Sequence, residues 1–152
     1  MTAPGALVDR LLASGALDSG GGISPFTALA VAELCASGGF DEQVALLRTA
    51  YRERRDTLAA SLNESLPDGC HVRLPGGGFF IWVTLPKEMD SEALLSEAEA
   101  GGIAYVLGAR FHSDWGGQNS LRLAFSLYPP KQLVEAGRRL GRVISHSAPR
   151  RA

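Results

Sequence analysis

Few residues in this chain of 152 have the types and spacing to do chemistry on their own. His112-Ser113-Asp114 holds the side chains of a base, a nucleophile and an orienter, but adjacent residues cannot converge on one substrate atom, so the run reads as a polar loop. His71 and His146 stand alone, and a lone histidine is more often a satisfied surface residue than a ligand. Cys35 and Cys70 have neither metal-ligand spacing nor the density of a disulfide framework, which suggests two reduced thiols. Gly76-Gly77-Gly78 lacks the Gly-Lys-Ser/Thr ending of a phosphate loop. It reads either as a tight connection between strands or as a place where backbone meets a ligand.

The run Asn119-Ser120-Leu121-Arg122-Leu123-Ala124-Phe125-Ser126 is more informative, because one arginine interrupts an otherwise apolar strand. A guanidinium is costly to strip of water unless something anionic meets it. Alternation sets Arg122 on the face opposite Leu121 and Leu123. There it either points into water or holds an anion, for which its planar, two-toothed donor edge is suited.

The elements that must carry these residues follow from periodicity and breakers. Ser24-Pro25 starts a helix over 26–36 that is apolar nearly all round, and Gly38-Gly39 ends it. Asp41 is expected to cap a long second helix. On it Val44, Leu47, Tyr51, Leu58, Leu62 and Leu66 form one stripe, with Arg48, Arg52, Glu53 and Arg55 left to solvent. Strands are expected over 70–74 and 79–85, a helix capped by Asp90 or Ser91, strands over 103–106 and 120–127, and a last helix opened by Pro129-Pro130. The order predicts an α/β two-layer sandwich, with helices on one face of a small mixed or antiparallel sheet and a long helix in front. Ser19-Gly20-Gly21-Gly22 and the tail 147–152 read as flexible and frayed.

Composition narrows the function classes. Fifteen basic against sixteen acidic residues give a net charge of -1, which argues against nucleic acid as a partner. No secretory leader is visible, and no apolar stretch approaches the roughly 20 residues that span a bilayer. A cytoplasmic protein with no membrane partner is expected. Only Lys87 and Lys131 are lysines; the other thirteen basic residues are arginines.

Several of these segments together match a known pattern. Residues 75–86, Pro-Gly-Gly-Gly-Phe-Phe-Ile-Trp-Val-Thr-Leu-Pro, resemble the glycine-pair strand of the class I/II pyridoxal-phosphate aminotransferases of fold type I. Residues 106–111, Val-Leu-Gly-Ala-Arg-Phe, are similar to that family's Val-Pro-Gly-x-x-Phe loop, with Leu107 departing from the usual proline. Residues 119–126 resemble its Asn-x-Leu-Arg-Leu-x-Phe-Ser strand, residues 51–56 its interdomain helix, and Thr2-Ala3-Pro4 the stretch after its cofactor lysine. The flavour is that of the 2-aminoadipate and aromatic aminotransferase branch, which includes the catalytic halves of MocR-type regulators.

The resemblance implies a division into residues 1–39, a remnant of the large-domain end and linker helix, residues 40–146, the C-terminal small domain, and the tail 147–152. It implies that Arg122 binds the α-carboxylate of an amino acid or 2-oxo acid, with Gly77 and Gly78 letting backbone approach the substrate; Phe79 and Phe80 line a pocket or join the core. Pyridoxal 5'-phosphate is the implied carrier of the amino group. Its Schiff-base lysine has no counterpart here, since neither Lys87 nor Lys131 occupies the family position. No catalytic residue and no metal ligand is therefore assigned. The expectation is a truncated aminotransferase chain, inactive alone, partnered by a missing large domain or a second copy. A non-catalytic module that binds amino acids or a protein is the alternative, suggested by the apolar helix over 26–36.

Overall fold

The computed structural model describes residues 4–13 and 24–147, and the chain divides into two units, Met1–Ala45 and Leu46–Ala152. The glycine run 19–22, Thr2 and Ala3 lie outside the described residues. In the first unit α1 (Gly5–Leu12) is followed by α2 (Pro25–Ala36), which has Pro25 at its first position and Ser24 as N-cap. The Ser24 side chain makes no capping bond; its carbonyl accepts the Ala28 amide at 3.0 Å. α2 buries none of its residues, and Phe26 is 82% exposed. The next helix, α3 (Gly39–Ser65), begins before Asp41, so Asp41 and Glu42 sit in its first turn. There their charges favour the positive end of the helix instead of capping it.

The second unit is built on a four-stranded antiparallel sheet in the order β1-β2-β4-β3, made of β1 (His71–Arg73), β2 (Phe80–Thr84), β3 (Val106–Leu107) and β4 (Ser120–Ala124). Residues alternate across each strand. Ile81, Val83, Leu121 and Leu123 are buried, whereas Trp82 and Arg122 are half-buried and Phe80, Thr84 and Ala124 are exposed. The inward residues share one core with Leu58 and Leu62 of α3, Ala98 of α4 (Leu95–Ala100), and Leu133, Leu140 and Ile144 of α5 (Pro130–Ser147). Helices thus cover one face, as the two-layer reading requires.

α3 and α5 approach closely because glycine lets them. A β-carbon on Gly137 would lie 2.4 Å from the Ser61 hydroxyl, and one on Gly141 would lie 2.3 Å from the Ser65 carbonyl. Ser61 uses the contact to donate its hydroxyl to the Val134 carbonyl at 2.7 Å.

Four further expectations need correction. The third strand does not run over 103–106. Ile103 and Tyr105 are buried but unpaired, and the ladder with β4 begins only at Val106 opposite Arg122. α4 starts at Leu95, because Ser91 gives both its amide and its hydroxyl to the Gln118 carbonyl, each at 2.8 Å, while Asp90 accepts the Glu92 amide in a local turn. Arg55 is not left to solvent; it donates to the Pro75 carbonyl at 3.1 Å and pairs with Asp56 at 2.7 Å. Ser147 is the last residue of α5, donating to the Glu97 carboxylate at 3.0 Å, and residues 148–152 lie outside the described residues.

Candidate functional site

Register decides what surrounds Arg122. Residues directly opposite in an antiparallel pair share a face. Arg73 stands opposite Trp82, Trp82 opposite Arg122, and Val106 opposite Arg122 on the other side, so the four form one row on the face turned away from the core. Phe80 lies two residues along the same face of β2, paired with Ala124, whose small side chain leaves room for the ring to lean across. The Arg122 guanidinium carbon sits 3.9 Å from the Phe80 ring centre and 4.4 Å from that of Phe111. Trp82 meets Phe111 edge-to-face, with centres 5.4 Å apart at 81°. Stacking of this kind contributes about 0.5–2 kcal/mol per ring, according to how dry it is.

What the guanidinium lacks is equally telling. Among the described residues no carboxylate forms an ion pair with Arg122 and no acceptor meets its side chain, and its Nε is buried without a partner. Buried polar nitrogens are rarely left so. The two rings lie against the guanidinium but offer its N–H groups no lone-pair acceptor. What remains is an outward-facing donor edge whose natural complement is an anion.

The turn carrying Phe111, a short 3-10 helix Gly108–Phe111, is docked tightly onto β4. A β-carbon on Gly108 would lie 2.6 Å from the Ser120 β-carbon and 2.7 Å from its carbonyl oxygen. Beyond it the loop folds on itself. Asp114 accepts the Gly116 amide at 3.2 Å and pairs with His112 at 3.4 Å; the Gly116 amide first, then Asp114's own amide and His112, hold the Asp114 carboxyl below its ordinary range. His112 and Asp114 are engaged locally, and Ser113 is exposed beside them.

Gly78 adopts φ +82°, a conformation that favours glycine, while a β-carbon on Gly77 would meet nothing within 4 Å. Among the described residues nothing crowds Gly77. The loop is held at its start by Arg55 on the Pro75 carbonyl, and it delivers Phe80 to Arg122. Phe79 points elsewhere, packing edge-on against Tyr51 of α3 with centres 5.2 Å apart. Arg54 lies over the same Tyr51 ring and donates to the Ser126 carbonyl just beyond β4. Phe111 and Trp82 are the site residues that pattern reasoning missed. The i, i+2 spacing of Phe80 and Trp82 was the available signal; Phe111 had none without the register. Among the described residues no group of three or more histidine, cysteine or acidic side chains could hold a metal ion, and no helix is long and apolar enough to cross a membrane.

No family model matches the chain. It is, however, 36% identical over 108 residues to an aromatic-amino-acid aminotransferase of Thermococcus litoralis, a match covering 70% of this chain and 26% of the relative. The crystal structure of the α-aminoadipate aminotransferase of Thermus thermophilus superposes with a TM-score of 0.71 at 34% identity, over 76% of this chain and 30% of that one. An HTH-type transcriptional regulator of Bacillus subtilis is 26% identical over 129 residues, 85% of this chain and 26% of its own length. The chain belongs to the pyridoxal-phosphate aminotransferase family. Its likeness is to the C-terminal part of those proteins, and it spans about a quarter of the length of the curated relatives it matches.

Aminotransferases carry the amino group on pyridoxal phosphate, which a lysine holds as a Schiff base. The residues present here do not fit that task. Lys87 is exposed after β2, and Lys131 is exposed in the first turn of α5, whose apolar side packs on the opposite face of the sheet from Arg122. Neither lysine is among the residues in contact with the Arg122 guanidinium. The Arg122 guanidinium suits a planar carboxylate, not a covalently held pyridine ring.

Proposed function

We propose that this chain supplies the substrate-carboxylate anchor of an aminotransferase acting between an amino acid and a 2-oxo acid. Arg122 grips the α-carboxylate through its exposed donor edge, and Gly77 and Gly78 leave room for the substrate beside the strand. A paired arginine–carboxylate contact fixes two atoms of the ligand, and so the orientation of its Cα, before any bond is broken. The reading rests on one observation: a guanidinium against two rings, with its Nε buried and without a partner. A large domain or a second copy would complete the rest, in the cytoplasm, where the free thiols Cys35 and Cys70 would stay reduced.

Calorimetric titration of 2-oxoglutarate into the chain tests this. A charged hydrogen-bonded contact contributes about 1.5–3 kcal/mol, so Arg122→Ala is expected to weaken binding roughly 10- to 100-fold. Equal heats from both proteins would remove the assignment. A protein-interaction module is the second reading, favoured by the uncovered apolar side chains of α2, Phe26 at 82% and Leu29 at 70% exposure. A discrete dimer in size-exclusion chromatography supports that reading, and progressive aggregation opposes it.

A further inference from the structure

We infer that Phe80 and Phe111 are positioning residues that set the affinity of the carboxylate site by clamping the Arg122 guanidinium, with Trp82 bracing Phe111. The inference rests on the carboxylate reading of Arg122 and goes beyond it, because it assigns a role to three side chains that never touch the ligand's charge.

An arginine on a sheet surface ordinarily spreads over many rotamers, and ordering it on binding offsets part of what the ion pair contributes. Here that ordering is done in advance. The two ring centres at 3.9 Å and 4.4 Å hold the guanidinium carbon from two sides of the site, one in β2 and one in the loop. Rings rather than carboxylates do the holding, so the donors are not consumed by the protein. The Arg122 Nε is buried without a partner, and among the described residues no acceptor takes its other N–H groups. Phe111 meets Trp82 edge-to-face and stands on the Gly108 turn docked on Ser120, so the clamp has one jaw from the loop and one from β2. A lysine at the same position could not substitute, because a tetrahedral ammonium has no flat faces to stack and no forked edge to present.

The test uses the whole chain with 2-oxoglutarate as probe. Phe111→Leu keeps apolar bulk and removes the π face. It is expected to weaken binding about 3- to 30-fold, and Phe111→Tyr to restore it to within about 2-fold of the parent, both following from the strength of cation–π stacking. A ligand-free signature accompanies this: ring currents from two faces should shift the Arg122 Nε–H resonance upfield of those of the other arginines, and Phe111→Leu should move it back toward them. Phe80→Leu carries the same expectations if Phe111→Leu melts below the titration temperature. Loss of binding in Arg122→Ala with unchanged binding in Phe111→Leu or Phe80→Leu overturns the clamp and leaves the carboxylate site standing. Unchanged binding in Arg122→Ala removes the site and the clamp together. An Arg122 resonance at the ordinary position in the parent protein overturns the clamp whatever the ligand does.

Discussion

At the scale of single residues, Trp115 bears the plainest cost. It sits at φ 60° and is 90% exposed, so a large side chain occupies a left-handed backbone position with no packing in return. Left-handed backbone costs a non-glycine residue roughly 1–2 kcal/mol, and the extra freedom that glycine brings to the unfolded chain offsets part of that. Trp115→Gly should therefore raise stability by about 0.5–1 kcal/mol, read as a higher denaturant midpoint with an unchanged slope. No gain, or a loss, would mean that Trp115 makes a contact that offsets its strain. The same scale shows what a sequence can and cannot disclose. Arg122 stood out because one charge among leucines is anomalous under simple alternation. Its clamp did not, because Phe80 and Arg122 meet through a strand register spanning some forty positions, and Phe111 arrives on a turn whose course only Gly108 against Ser120 reveals.

At the scale of elements, the long and strongly periodic pieces were legible and the short ones were not. Leu58 and Leu62 of the expected α3 stripe and the buried side of α5 follow a 3.6-residue period that side-chain burial enforces, whereas Leu47 of the same stripe is exposed. β3 has two paired residues, and its limit is set by where Ile103 and Tyr105 turn to the core instead of to β4, a tertiary choice. α4 begins late because Ser91 finds a partner in Gln118, which lies 27 residues away in sequence. The α3–α5 contact gives a sharp prediction. By propensity alone Gly137→Ala should favour the helix by roughly 1 kcal/mol. With the Ser61 hydroxyl 2.4 Å from the new β-carbon, overpacking prevails instead. A net loss of about 1–3 kcal/mol in chemical unfolding is expected, and a stabilised variant would show that the helices part without cost.

At the scale of the whole molecule, stability should fall at both ends of the pH range for identifiable reasons. Tyr105 is buried with its hydroxyl on the Ser91 carbonyl at 2.6 Å, and burial, then the charges of Asp90 and Glu99, push its pKa from 10.0 up to about 12. The folded state holds that proton longer than the unfolded chain. Its contribution is therefore complete below pH 10 and lost as pH rises toward about 12. Absorbance titration should find a tyrosine that ionises only as the pH approaches about 12. On the acid side, the Gly116 amide at Asp114 and the Arg139 side chain at Glu135 hold both carboxyls below their ordinary values of 3.8 and 4.5. Their contribution is present above those values and disappears as pH falls through the lower folded ones. Melting temperatures across pH should trace both limbs, and a flat acid limb would remove the role given to these two pairs.

The most direct measurement is a side-chain NMR titration of the isotope-labelled chain with 2-oxoglutarate, following every arginine guanidinium at once. The expected result is a saturating shift of the Arg122 resonances while the other arginines stay in place. Movement of a different arginine, or of none, would contradict the claim that this guanidinium is where the chain takes hold of a carboxylate.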